Sequence, residues 1–161
     1  MLSVLEEKLA EGHGLAIAAS VLVDLVAERT LDPELARVLR GLEDDAAELR
    51  ARCLEVEHRF SAEVAAELLA HANATKEKAA DLASTWFKAG TGPLQAWSFL
   101  AMGEAGEVAV WRALCAMANG TGDVGELAEW ALPVQERHLK SALDGSAQLA
   151  AAVDPAAERW G

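Results

Sequence analysis

The long apolar segment at residues 94–117 contains only two carboxylates, Glu104 and Glu107. On a helix these acids lie one turn apart, so both side chains project from the same side. Burying an unpaired ionised carboxylate is costly, and two adjacent ones also repel each other. The segment therefore predicts a central helix whose acids are compensated by water, by a cationic partner, by protonation or by a metal ion.

The composition of the whole chain favours close-packed helices. Of its 161 residues 52% are hydrophobic and 25% are charged, with no Tyr and only 4 Pro. Ala and Leu suit helices better than strands. A chain of this length has enough apolar mass for one core. We expect a single helical domain over residues 1–152, followed by a flexible tail at residues 153–161.

Apolar periodicity and breaker residues predict five helices and no strands, at about 3–29, 33–60, 61–88, 94–118 and 124–152. Asp32 is a typical N-cap before Pro33 at the first helical position. Pro133 is expected to bend the fifth helix. Short connections after the first and fourth helices predict two antiparallel hairpins. The fold class is therefore all-α, a four-helix bundle of two hairpins with the third helix as a crossover.

The third helix is expected to direct one apolar stripe towards the bundle. Leu82 and Trp86 belong to this stripe, and His71 and Thr75 fall centrally on it. All five Trp are expected in the core.

Polar side chains also fall on the inward face of the fifth helix. His138 lies near the centre of that face, Gln135 lies at its edge, and Glu136 points to solvent. Folding the second hairpin places Glu104 opposite the turn that contains Gln135 and His138. This arrangement resembles half of a carboxylate-bridged dinuclear metal site.

The first hairpin contains a weaker version of the same pattern. Asp45 borders the apolar stripe of the second helix, and Glu48 is turned further towards solvent. His13 on the first helix is the expected counterpart of Glu104. The candidate metal ligands are therefore Glu104, His138, Glu107, Gln135, Glu48, Asp45 and His13.

Each signal also has a purely structural interpretation. Glu104 and Glu107 could be hydrogen-bonded to buried polar side chains or to water. Asp45 and Glu48 could form a solvated edge. The two glycines beside His13 either mark a kink or allow close approach of another backbone or of a ligand.

Charge and cysteine content restrict the partners. A formal net charge of −12 argues against nucleic acid and against anionic membranes. The charged residues within 94–117 argue against a transmembrane helix there. Two cysteines on apolar faces and an acidic opening sequence, rather than a basic secretory one, predict a cytoplasmic, reducing location.

Two short motifs resemble those of small bacterial ferritin-like proteins linked to stress responses. Leu42-Glu-Asp-Asp-Ala-Ala-Glu48 is similar to a motif on their second helix, and Glu104-Ala-Gly-Glu107-Val-Ala to one on a later helix. The resemblance covers about residues 1–150. It implies a ferritin-like bundle with one or two Fe or Mn ions in its core, used for iron oxidation or peroxide handling. It also implies a homodimer.

The chain departs from the family pattern at three points. Glu48 replaces the expected His, and Gln135 replaces the expected Glu before His138. The acid of the first helix has no counterpart other than His13 or the apolar Ile17. Gln is a poor ligand for hard cations beside Glu. The alternative interpretation is therefore a metal-free bundle that serves as an oligomerisation or protein-interaction module.

Overall fold

The computed structural model describes residues 1–154, and the C-terminal residues 155–161 lie outside it together with most of the expected tail. Five helices follow one another along the described chain, which contains no strand. The helices are α1 (Val4–Ala27), α2 (Pro33–Glu57), α3 (Ala62–Trp86), α4 (Pro93–Ala118) and α5 (Gly122–Ala151). The all-α fold class and the five helices are confirmed.

Local chemistry determines where the helices begin and end. The Asp32 carboxylate accepts hydrogen bonds from the backbone N–H groups of Glu34 and Leu35, which caps α2 as the sequence predicts. Asn119 ends α4 in the left-handed conformation with φ of 49°, and Gly120 follows with φ of 68°. These two residues make the tight turn between α4 and α5.

Four helices form a closed ring in the order α1, α2, α5, α4, and neighbouring helices in the ring are antiparallel. Along α1 and α4, a Cβ at Gly12 would meet Trp111, and one at Gly103 would meet Leu22. Along α2 and α5, Asp32 pairs with Gln148 and Arg59 with Asp123. The two hairpins therefore pack face to face.

The outer helix α3 lies on α1 and runs parallel to it. Met1 pairs with Glu67 near the start of both helices. A Cβ at Gly14 would lie 2.4 Å from the carbonyl oxygen of Ala72, so Gly14 permits close approach of the α3 backbone. At Gly14 the structure therefore shows the close approach of another backbone, whereas Gly12 lies beside the Trp111 side chain.

Two apolar clusters occupy opposite ends of the bundle. One contains Leu49 of α2 and Trp111 of α4. The other contains Leu42 of α2 and Leu100 of α4. On both helices the clusters are separated by a short stretch that includes polar residues, so the bundle has a polar layer near its middle.

The predicted inward stripe of α3 is wrong in part. His71 is exposed, Leu82 is 57% exposed and Trp86 is 42% exposed. The reason is that α3 packs against α1 alone over most of its length, so only a narrow face is covered. Trp97 and Trp111 are buried as expected, whereas Trp130 is only half-buried. Trp160 lies outside the described residues.

Within residues 1–154, α1 is the one helix that is long and apolar enough to cross a membrane. Half of its most apolar window is buried inside the molecule. The stretch at residues 94–117, considered above for the same reason, forms the central helix α4.

Candidate functional site

The polar layer contains four buried side chains from α4 and α5. Glu104 is 3% exposed, Glu107 is 4%, Gln135 is 1% and His138 is 5%. All four face the interior between the apolar clusters. The burial expected for Glu104, Glu107 and His138 is therefore confirmed, and Gln135 lies deeper than its expected position at the edge.

The Gln135 amide lies between the two carboxylates. One of its terminal atoms is 3.2 Å from Glu107 Oε2 and 3.2 Å from Glu104 Oε2. If this atom is the amide nitrogen, it donates a hydrogen bond to each carboxylate. If it is the oxygen, three oxygens face one another and require either a carboxyl proton or a cation between them, since an amide oxygen cannot donate. The amide orientation therefore depends on what neutralises the two acids.

His138 connects this cluster to α2. Its Nε2 lies 2.9 Å from Asp45 Oδ2, and its Nδ1 lies 3.6 Å from Glu104 Oε2. With the proton on Nε2, the imidazole donates to Asp45, and Nδ1 turns a lone pair towards the carboxylates. Asp45 is 40% exposed, so it reaches His138 from the rim of the bundle.

Burial and the nearby charges change the protonation of the cluster. Burial raises the pKa of Glu107 well above its usual value of 4.5, and the negative charge of Glu104 raises it further. For His138, burial lowers the pKa, but the carboxylates of Glu104 and Asp45 outweigh burial and raise it above 6.5. In the absence of a cation, Glu107 and His138 therefore retain their protons to higher pH than the free side chains do.

The structure places two of the predicted ligands away from this cluster. Glu48 is half exposed and pairs with Arg52 through two hydrogen bonds, so it belongs to the surface of α2. The buried His13 places its Nδ1 2.8 Å from Glu57 Oε1. The register of α1 against α4 explains this position of His13: Gly12 lies beside Trp111, about one turn beyond Glu107.

Glu57 was not identified from the sequence, although it is only 2% exposed. It follows Leu49 and Cys53 at four-residue spacing, so the apolar stripe of α2 already placed it on the inward face. The Cys53 thiol, also on α2, lies between the His13–Glu57 pair and the polar layer that contains Glu107. Burial raises its pKa, and the charges of Glu57 and Glu107 raise it further.

An apolar cavity of about 260 Å³ reaches the two carboxylates from the side of α3. Its walls come from α1, α3 and α4, and Glu104 and Glu107 are part of the lining. Exposed wall residues such as Leu82 and Met102 lie at its mouth. A small molecule could therefore approach the acids without crossing either apolar cluster.

Among residues 1–154, no three His, Cys, Asp and Glu side chains form a ready-made metal cluster by themselves. Glu104, Glu107 and His138 are therefore not a ready-made metal site, and an ion held here would need the Gln135 oxygen as well. Comparison with protein-family models, with curated proteins and with solved structures finds no match. The ferritin-like resemblance therefore stays a prediction.

Proposed function

We propose that the chain is a ferritin-like bundle that binds one divalent metal ion, Fe or Mn, between α4 and α5. The supporting observation is the convergence of four potential donors in a buried layer: Glu104, Glu107, Gln135 and His138 Nδ1. Carboxylate and imidazole together suit first-row metals such as Fe and Mn, and the Gln135 oxygen would add a weaker, neutral donor.

Three separations between neighbouring donors are compatible with one shared ion. Two atoms that each lie about 2.1 Å from one ion are separated by about 3.0–3.6 Å at ordinary coordination angles. The observed separations of 3.2 Å and 3.6 Å fall at this spacing. Binding requires the Gln135 oxygen to face the carboxylates and Glu107 to lose its proton.

The residues of α1 and α2 favour one ion over two. Asp45 contacts the far nitrogen of His138, a position from which a carboxylate orients a metal-binding imidazole without binding the metal. His13 is paired with Glu57, and Glu48 is on the surface. The first hairpin therefore offers no second set of buried ligands at this level.

The arrangement supports oxidative chemistry with small reactants. A bound Fe or Mn ion would supply electron transfer with oxygen or peroxide. The chain would hold the ion through Glu104 and His138, and would admit a small reactant through the cavity beside Glu107. Iron oxidation, peroxide handling, a stress-response role, a cytoplasmic location and a homodimer belong to this proposal through the family resemblance.

The proposal is tested by metal titration of protein that was purified without a metal-affinity tag and treated with a chelator. Calorimetry with Mn²⁺, and elemental analysis after Fe²⁺ loading, should give about one ion per chain. Glu104→Gln should abolish binding, while the matched surface variant Glu48→Gln should bind as wild type. Binding that survives Glu104→Gln, or an absence of binding to wild type, contradicts the proposal.

A second candidate function is a metal-free interaction module. Several exposed apolar side chains lie around the mouth of the cavity, among them Val21 (46% exposed), Leu82 (57%) and Met102 (55%). Such a patch favours contact with another apolar surface. A concentration-dependent mass in sedimentation, reduced by Leu82→Glu in protein that binds no metal, would favour this function.

A further inference from the structure

The cavity beside the two acids has the size of a small-molecule site. Its volume of about 260 Å³ exceeds the roughly 150 Å³ that accommodates benzene in an engineered protein cavity, so a ligand of about ten heavy atoms fits. Small side chains on three helices leave this space open. They include Ala18 on α1, Ala79 and Ala83 on α3, and Gly106 on α4.

The walls of this cavity are apolar almost throughout. Leu15, Leu22 and Phe99 contribute to it, and Lys76 is the one cationic side chain in the lining. The apolar part of a ligand would therefore pass from water into an apolar site. The free energy of this transfer is favourable in proportion to the apolar area buried.

The inner end of the cavity is acidic, in contrast to its apolar walls. Glu107 is 4% exposed, is part of the cavity lining, and has no Lys or Arg partner among the described residues. Within residues 1–154 its one neighbouring hydrogen-bonding side chain is the neutral amide of Gln135, which donates to it when the amide nitrogen faces the acids. Glu104 lies at the same end and shares that amide. A cationic group placed here would lie beside Glu107, whereas Glu104 already has the His138 imidazole 3.6 Å away.

The geometry points to a binding site for small alkyl amines, with the apolar body between α1, α3 and α4 and the ammonium group at Glu107 and Glu104. The ammonium would donate hydrogen bonds to carboxylate oxygens, which are stronger than those between neutral groups. A carboxylate-headed ligand of the same length would meet two acids and be rejected. This site goes beyond the proposed metal function and does not require a metal.

The test uses three ligands that share a straight eight-carbon chain and differ in head group: n-octylamine, n-octanol and n-octanoate. Calorimetry is performed on the full chain in the presence of a chelator, at neutral pH. n-Octylamine should bind about tenfold or more tightly than n-octanol, because hydrogen bonds to charged groups are the stronger class. n-Octanoate should bind weakest of the three.

Two variants separate the body of the site from its head-group end. Gly106→Leu should abolish binding of all three ligands, because the new side chain enters the cavity and its Cβ meets no other atom within 4 Å. Gly41→Leu is the matched control: Gly41 also has open space, but it lies on α2 away from the cavity, so binding should not change. Glu107→Gln should retain n-octanol and lose the preference for the amine. Circular dichroism confirms that each variant is folded.

Some results would overturn the inference. They are no binding of n-octylamine to wild type, equal binding of n-octylamine and n-octanoate, or unchanged binding in Gly106→Leu. A preference for the amine that survives in folded Glu107→Gln would also overturn it. Since the protein is metal-free throughout, none of these results depends on whether the metal titration succeeds.

Discussion

Replacing Glu107 with Gln should make the metal-free protein more stable at neutral pH and should weaken the dependence of its stability on pH. Glu107 is 4% exposed and lies beside Glu104, so ionising it in the folded state is unfavourable. Gln has nearly the same shape and carries no charge. The variant therefore removes the buried charge while retaining the packing.

The magnitude follows from proton linkage. The pKa of Glu107 is raised in the folded state, so above pH 4.5 the folded protein retains a proton that the unfolded chain has lost. The free energy of unfolding therefore falls as pH rises, by up to about 1.4 kcal/mol per pH unit for one proton. Between about pH 5 and pH 7 the loss is up to about 3 kcal/mol. Glu107→Gln should remove it.

His138 contributes with the same sign in a higher pH range. Its pKa is raised above 6.5, so its stabilising contribution is fully present below that pH and is lost as pH rises through the raised pKa. The pKa is raised because the carboxylates of Glu104 and Asp45 stabilise the protonated imidazole more than burial destabilises it. In Glu107→Gln, the decrease in stability that remains should therefore begin only above about pH 6.5.

The assay is urea unfolding followed by circular dichroism, at several pH values and with a chelator present. Glu136→Gln is the matched control, because Glu136 is a solvent-accessible acid on α5 that pairs with Arg112 at 2.7 Å. Exposed pairs of this kind contribute about 0–1 kcal/mol, and this one should leave the pH dependence unchanged. If Glu107→Gln retains the pH dependence of wild type between about pH 5 and pH 7, Glu107 is not the buried acid described.

Three further predictions test other parts of the structure. Gly145→Ala should destabilise the protein by about 1–3 kcal/mol in urea unfolding, because a Cβ would lie 2.3 Å from the Trp97 ring. Gly41→Ala is the control and should stabilise the protein, because a Cβ at Gly41 meets open space. Equal effects of the two substitutions would refute the contact between Gly145 and Trp97. Asp45→Asn should weaken Mn²⁺ binding about 10–100-fold in calorimetry by loosening the orientation of the imidazole, and unchanged affinity would argue against that role. His13→Leu should lower the free energy of unfolding by about 3–5 kcal/mol, because it leaves the buried carboxylate of Glu57 unpaired. Its Mn²⁺ affinity should not change. Loss of Mn²⁺ binding in the folded variant would show that His13 is a ligand after all.

Local signals in the sequence were sufficient for the helices and for the buried acids. The Asp32-Pro33 start of α2 was predicted from residues adjacent in the chain, and so was a short connection after the fourth helix, where the structure has the Asn119-Gly120 turn. The inward positions of Glu104 and His138 follow from periodicity within one helix each. Such features need no knowledge of how helices pack together.

The pairing of His13 required information that periodicity does not contain. Periodicity fixes the face of a side chain but not its height along the bundle. The height of α1 is set where Gly12 meets the Trp111 ring and Gly14 meets the α3 backbone. This register places His13 beside Glu57 instead of beside the central acids.

The exposed face of α3 and the cavity also depend on how the helices pack together. A stripe on α3 predicts burial only if another helix covers it, and α3 lies on α1 without closing fully against α4. Small residues on three separate helices, such as Ala18, Ala79 and Gly106, leave the gap between them. No pattern within a single helix reveals a space that three helices share.

The most direct measurement is a crystal structure of the protein soaked with Mn²⁺, with anomalous scattering used to locate the ion. The account predicts one peak about 2.1–2.3 Å from Glu104, from Gln135 Oε1 and from His138 Nδ1. A peak elsewhere, or no peak in crystals soaked at a saturating concentration, would contradict it. The Gln135 amide nitrogen would then remain between the two carboxylates.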